Sequence, residues 1–260
     1  MGKKGDGVRK TTKERLNILR GGLNEKTVFV VGDMIKDSSV DPHVIVYHDK
    51  NSPVTEQYRV LRTNIQSINS ANPPKMIVVT SSIHNEGKSV TALNLAMALA
   101  VDPNNRNVLL IDADIRKGRI EKLLGINSTK GLSEVLCENV PIEEALVKTA
   151  FTSLKILTKG IPPYNPAELL SSAKMKKLLT EIRTKFDYVI IDTPPIIPLT
   201  DPGIIGQLAD GAILVVQLHR TQRGMVKQAR SLLEQAKVKV LGFILTQVEH
   251  PVPDYIYRYL

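Results

Sequence analysis

The chain has 260 residues, a formal net charge of +9, one cysteine and no tryptophan. That length suits one large α/β domain with extensions, and a hydrophobic share of 42% with 23% charged residues is ordinary for a globular chain. The single Cys137 excludes an intrachain disulfide and a multi-cysteine metal cage. No apolar run approaches the roughly 18 residues of a bilayer span, and the N-terminus lacks the apolar core of a signal peptide, so the expected compartment is the cytoplasm.

Residues 1–26 carry eight Lys or Arg (Lys3, Lys4, Arg9, Lys10, Lys13, Arg15, Arg20, Lys26) against Asp6, Glu14 and Glu25. Such a leader is either a solvated mobile tail or a contact for anionic lipid; with no interleaved aromatic residues, no nucleic-acid partner is expected. Thr12–Leu19 can form a short helix, and Thr27–Val31 and Val44–Tyr47 read as short β-like runs flanking Asp41-Pro42. Residues 1–50 are therefore expected to be a basic N-terminal extension with short β-like segments. Ser52-Pro53 then opens a helix over Val54–Ser70, with Glu56 in its first turn, and Asn72-Pro73-Pro74 stops it.

From Met76 the pattern alternates. Strands are predicted at Met76–Thr80, Val108–Asp112, Leu154–Thr158, Tyr188–Asp192, Ala212–Gln217 and Val240–Thr246. Helices are predicted at Lys88–Ala100, Ile142–Lys148, Ala173–Lys185, Pro202–Leu208 and Arg223–Lys237. This alternation predicts an α/β fold of the P-loop NTPase kind, a mostly parallel sheet flanked by helices on both faces. Strands such as Val189-Ile190-Ile191 are apolar throughout, as sheets covered on both faces require.

Between the first of these strands and its helix stands Gly87-Lys88-Ser89. In a P-loop, backbone N–H groups at the helix start cradle phosphates, the Lys reaches the β/γ oxygens and the Ser hydroxyl binds Mg²⁺. The candidate nucleotide site is accordingly Ser82, Asn85, Glu86, Gly87, Lys88, Ser89 and Val90, with Ser82 standing where the pattern has its first glycine. Lys88 is expected to face the ligand, so that its replacement by Met would leave folding untouched.

Two apolar strands end in acid, at Asp112-Ala113-Asp114-Ile115-Arg116 and at Asp192-Thr193-Pro194-Pro195. A P-loop needs a nearby carboxylate to hold Mg²⁺ against nucleotide phosphates, and Asp112, Asp192 and Ser89 are the candidate metal ligands. Asp114 is either a free carboxylate able to take a proton from an attacking hydroxyl or the cap of the following turn. Arg116 either neutralises transferred charge or pairs with Asp114.

Taken together, these segments resemble the bacterial tyrosine kinases, autokinases that work with polysaccharide-export machinery, over roughly residues 50–260. The resemblance rests on Ser82–Ser89, Leu110–Arg116, Ile190–Pro195, Gly131-Leu132-Ser133, Pro162–Leu170, the Glu56-x-x-Arg59-x-x-Arg62 spacing and a terminal tyrosine cluster. It implies an ATP- and Mg²⁺-dependent protein-tyrosine autokinase with Lys88, Asp112, Asp114, Arg116 and Asp192 as its catalytic residues. It further implies a kinase domain over 51–248, a tyrosine-rich tail over 249–260, and assembly into a homo-oligomeric ring through Glu56, Arg59 and Arg62. The implied partners are a membrane-bound polysaccharide co-polymerase that acts as activator and a protein-tyrosine phosphatase. Thr246 stands where relatives usually place an Asn beside the nucleotide base.

The tail holds Tyr255, Tyr257 and Tyr259 after Pro251 and Pro253, and the resemblance makes them phosphoacceptors. Two other readings stay open from sequence: a P-loop ATPase of the partitioning or positioning type, and a nucleotide-binding subunit without phosphotransfer. Residues 81–87 lack the extra Lys usual in the former.

Overall fold

The computed structural model describes residues 39–69 and 71–248 in full, and the backbone of a short hairpin in which Phe29–Val31 (β1) pairs antiparallel with Met34–Lys36 (β2). The expected helix at Thr12–Leu19, the basic leader and the tyrosine tail lie outside the described residues.

A compact unit begins at Ser39. Val44–Tyr47, expected to be β-like, is a correction: Ile45–His48 form a short helix (α1). Asp41 makes the difference, its carboxylate accepting the His43 N–H at 2.9 Å and its carbonyl the Val44 N–H at 2.9 Å, which turns the chain. Val44 and Val46 are buried, and Val46 N–H donates to Asn94 Oδ1 at 3.0 Å. Pro53–Ser67 (α2) follows, its N-terminus capped by Ser52, whose hydroxyl accepts the Thr55 N–H at 3.0 Å, with Pro53 in the first turn.

Seven strands form the main sheet: Met76–Ser81 (β3), Val108–Asp112 (β4), Leu146–Lys148 (β5), Leu154–Leu157 (β6), Tyr188–Asp192 (β7), Gly211–Gln217 (β8) and Val240–Thr246 (β9). Their order is β5-β6-β4-β7-β3-β8-β9, parallel throughout except β5, which runs antiparallel to β6. The connecting helices are Lys88–Ala100 (α3), Ile120–Leu124 (α4), Leu132–Cys137 (α5), Ile142–Ala145 (α6), Pro166–Ser171 (α7), Ala173–Lys185 (α8), Asp201–Gly206 (α9) and Arg223–Gln235 (α10). The helix predicted over Ile142–Lys148 therefore stops at Ala145, and Leu146–Lys148 pairs with β6 at the sheet edge. Three residues are too few to show a period of two.

Alternate side chains of β3 serve two cores. Met76 and Val78 pack with Leu179, Ile182, Ile205 and Leu233 on one face, while Ile77 and Val79 pack with Leu93, Leu95, Leu99 and Ile65 on the other. Because β3 is covered on both faces, all six of its residues are buried. Each fully buried aliphatic side chain stabilises the fold by about 1.5–3 kcal/mol. The register places Asp112 of β4 directly opposite Asp192 of β7, and Asp192 opposite Val79 of β3, so both acids sit at the carboxyl ends of adjacent central strands. Ligands of open parallel sheets bind at that edge.

Candidate nucleotide and phosphotransfer site

The loop from Ser82 to Gly87 is braced by its own residues and by the segments after β8 and at the end of β9. Buried Glu86 accepts the Ile83 N–H at 2.8 Å and pairs with the Thr221 hydroxyl. Arg220 donates to the Asn85 carbonyl at 2.9 Å, and the Thr246 hydroxyl donates to the Glu86 carbonyl at 2.8 Å. Asn85 (φ 64°) and Gly87 (φ 90°) take left-handed conformations, and a Cβ on Gly87 would stand 3.3 Å from Thr246 Cγ2. Glu86, predicted as a nucleotide contact, thus spends its carboxylate on the loop itself. Ser82 is buried, its hydroxyl without a partner among the described residues. No side chain caps the start of α3, so its first N–H groups are available to phosphate.

Lys88 is itself buried. Its ammonium donates to Asp114 Oδ2 at 3.0 Å and lies 3.9 Å from Asp192 Oδ1. Burial alone would lower its pKa, but Asp192, Asp114 and Asp112 together hold it above the ordinary lysine value. Asp112 is pushed well up, by burial first and then by the charge of Asp192, against the Ile120 N–H and Lys88. Asp192 is raised by burial, with Lys88 and the Ser89 hydroxyl opposing. Neither Asp192 oxygen receives a hydrogen bond of ordinary geometry. Asp112 accepts the N–H groups of Asp114 and Ile120, each at 3.2 Å. A Cβ on Gly118 would fall 2.4 Å from an Asp112 oxygen, so the turn after β4 requires glycine there.

A cavity of about 200 Å³ opens over this group, walled by Gly87, Lys88, Ser89 and Asp114 and also by Lys117 and Arg119. Lys117 and Arg119 were not among the expected site residues; their sequence signal is their place just beyond the Asp-x-Asp-x-Arg run. A larger apolar groove of about 590 Å³ adjoins it through Val90 and includes Tyr58, Phe243, Leu245 and Thr246. Among the described residues, no group of three or more His, Cys, Asp or Glu is placed to hold a metal ion. Two acids and a hydroxyl fit Mg²⁺ nevertheless, because that ion is usually bound through one or two carboxylates plus substrate phosphates; the underused Asp192 oxygens beside Ser89 suit that role.

Arg116 does not pair with Asp114; its Nε donates to Asp201 Oδ2 at 3.3 Å. Glu56 and Arg59 form an exposed 2.7 Å pair, whereas Arg62 turns inward, donating to the Ala98 carbonyl at the end of α3 (3.0 Å) and lying 3.8 Å from Asp102. Buried Glu134 joins the Gly131-Leu132-Ser133 motif to Ile161, the residue before the Pro162–Leu170 motif, accepting the Gly131 and Ile161 N–H groups at 2.7 and 2.9 Å. Tyr255, Tyr257 and Tyr259 lie outside the described residues.

A strand, a phosphate loop with its lysine, and two acids at neighbouring strand ends define a P-loop nucleotide-binding protein. Residues 74–239 match the AAA domain family. Tyrosine-protein kinase YwqD of Bacillus subtilis (strain 168) is 39% identical over 210 residues, 81% of this chain and 88% of that protein. The crystal structure of the chimerical protein CapA2B2 superposes with a TM-score of 0.76 at 28% identity, covering 92% of this chain and all of that one. The kinase domain of Escherichia coli tyrosine kinase ETK superposes with a TM-score of 0.74 at 26% identity, covering 84% of this chain and 86% of that one. The chain belongs to the bacterial tyrosine-protein kinase family, and its activity is that of a protein-tyrosine kinase. Among the described residues, no helix is long and apolar enough to cross a membrane.

Proposed function

We propose that this kinase uses ATP and Mg²⁺ to phosphorylate Tyr255, Tyr257 and Tyr259 of its own tail, between subunits of a ring. Its regulatory role is in exopolysaccharide or capsule synthesis and export. It works at the inner face of the cell membrane beside a membrane-bound co-polymerase that activates it, and a protein-tyrosine phosphatase resets it. The observation that carries this reading is Lys88 set between Asp114 and Asp192 at the mouth of the P-loop.

When bound, ATP supplies the γ-phosphoryl group and Mg²⁺ the charge that offsets it. The start of α3 and Lys88 bind the phosphates, and Ser89, Asp192 and Asp112 are the residues suited to the metal. Once Lys88 turns to phosphate, Asp114 is freed to take the proton of the acceptor phenol, an assistance worth typically 10²–10⁴-fold. Arg116 meets the charge on the transferred group.

Incubating the full chain with Mg-ATP and mapping phosphotyrosine by mass spectrometry tests the reading. Label on the tail that vanishes in Lys88→Met is expected; phosphate release without tail label would overturn it. Mixing a Lys88→Met chain with an active chain whose three tail tyrosines are Phe tests the direction. Label on the Lys88→Met tail means transfer between subunits.

A further inference from the structure

We propose that Asp201 is a positioning residue for phosphotransfer: from its buried place at the start of α9 it fixes the Arg116 guanidinium, presenting that fork to the phosphoryl group on the acceptor side of the site. This rests on the reading above that Arg116 meets the transferred charge.

Asp201 is only 1% exposed. One of its oxygens is taken by Arg116 Nε at 3.3 Å, and the other is buried with no partner among the described residues. A buried carboxylate has lost its hydration, so its partners inside the protein matter. An acid in a first helical turn gains a little from the helix dipole. That gain needs no arginine, least of all one 85 residues away in sequence.

Arg116 stands two residues past Asp114, on the same strand-end loop. Its side chain is one-third exposed, and Nε is the donor that Asp201 engages. An arginine held through Nε keeps its two terminal nitrogens as a rigid fork, the geometry that matches phosphoryl oxygens. Arg116 is absent from the wall of the P-loop cavity, where Lys117 and Arg119 stand, and turns instead toward α9. The nucleotide phosphates have Lys88 and the start of α3, which leaves the Arg116 fork for the acceptor side. In the transfer, the phenol oxygen–phosphorus bond forms and the phenol proton passes to Asp114. The bond from phosphorus to the β,γ-bridging oxygen breaks, its electron pair leaving with ADP.

The test is a double-mutant cycle on the full chain, following tail phosphorylation with varied Mg-ATP. Asp201→Asn, which keeps shape and loses the charge, is expected to lower kcat roughly 10–100-fold with KM for ATP unchanged. In an Arg116→Ala background it is expected to lower kcat no further. A wild-type kcat for Asp201→Asn, or an equal fall in both backgrounds, overturns the proposal, the second marking a merely structural role. Should Asp201→Asn fail to fold, Arg116→Lys decides: it keeps the charge and loses the fork, and a wild-type kcat for it overturns the proposal. A wild-type chain that labels no tyrosine overturns both this proposal and the proposed function, whereas wild-type labelling with unaffected variants overturns this one alone.

Discussion

Lys88 donates to Asp114 at 3.0 Å, so the cation at the start of α3 and a carboxylate just beyond the end of β4 neutralise each other. In the proposed mechanism both become free when phosphate draws the lysine away. The same contact makes Lys88 part of the fold, its ammonium set among three buried acids.

Lys88→Met is therefore expected to abolish phosphotyrosine formation and also to lower the melting temperature without nucleotide. Removing one partner from a buried ion pair typically costs about 3–5 kcal/mol. Thermal melts at neutral pH check this; an unchanged melting temperature would show that the acids do not depend on Lys88.

Asp192→Asn is expected to act oppositely on stability, raising it by about 0.5–2 kcal/mol while abolishing transfer. Asp192 has a folded pKa above its unfolded value, so its ionisation removes stability as pH rises from near 3.8 through that raised value. The advantage of the Asn variant should thus be absent in strong acid, grow through that window and stay level above it. Melts across pH measure it, and a gain that shrinks with rising pH contradicts the assignment.

Asp114→Asn is expected to slow the chemical step by about 10²–10⁴-fold with Mg-ATP affinity retained. Asp112→Asn should weaken Mg-dependent nucleotide binding and also loosen the turn to Ile120, because its carboxylate holds two backbone N–H groups there. Nucleotide titrations alongside single-turnover rates separate the two; the reverse pattern exchanges their roles.

Arg59→Ala and Arg62→Ala should part company. Arg59 makes an exposed pair worth about 0.2–1 kcal/mol, and its loss should appear in self-association by light scattering with little change in melting. Arg62 binds the end of α3, and its loss should destabilise the single chain by about 1–3 kcal/mol. Equal melting temperatures for the two variants would contradict the inward role of Arg62.

Legibility from sequence followed length and burial. β3, β4 and β7 are readable as buried, largely apolar runs, two of them ending in an acid, and α3 is readable from Gly87-Lys88-Ser89 at its start and the apolar stretch after it. The four-residue α1 and three-residue β5 are shorter than the periods that identify helix and strand, and Ile45-Val46 has the composition of either. Within the site, the residues expected to meet at the strand ends do meet, since register alone places Asp112 opposite Asp192. The partners of Glu86, Arg116 and Arg62 were not readable, because Thr221, Asp201 and Ala98 are brought to them by folding across 135, 85 and 36 residues. Asp201 carried a sequence signal, but Thr-Asp-Pro reads equally well as an ordinary helix start.

The bond from the Thr246 hydroxyl to the Glu86 carbonyl roots the C-terminal segment on the phosphate loop itself. A change that moves the end of β9 is therefore felt at the phosphate loop, and a change in the loop is felt at that edge of the sheet.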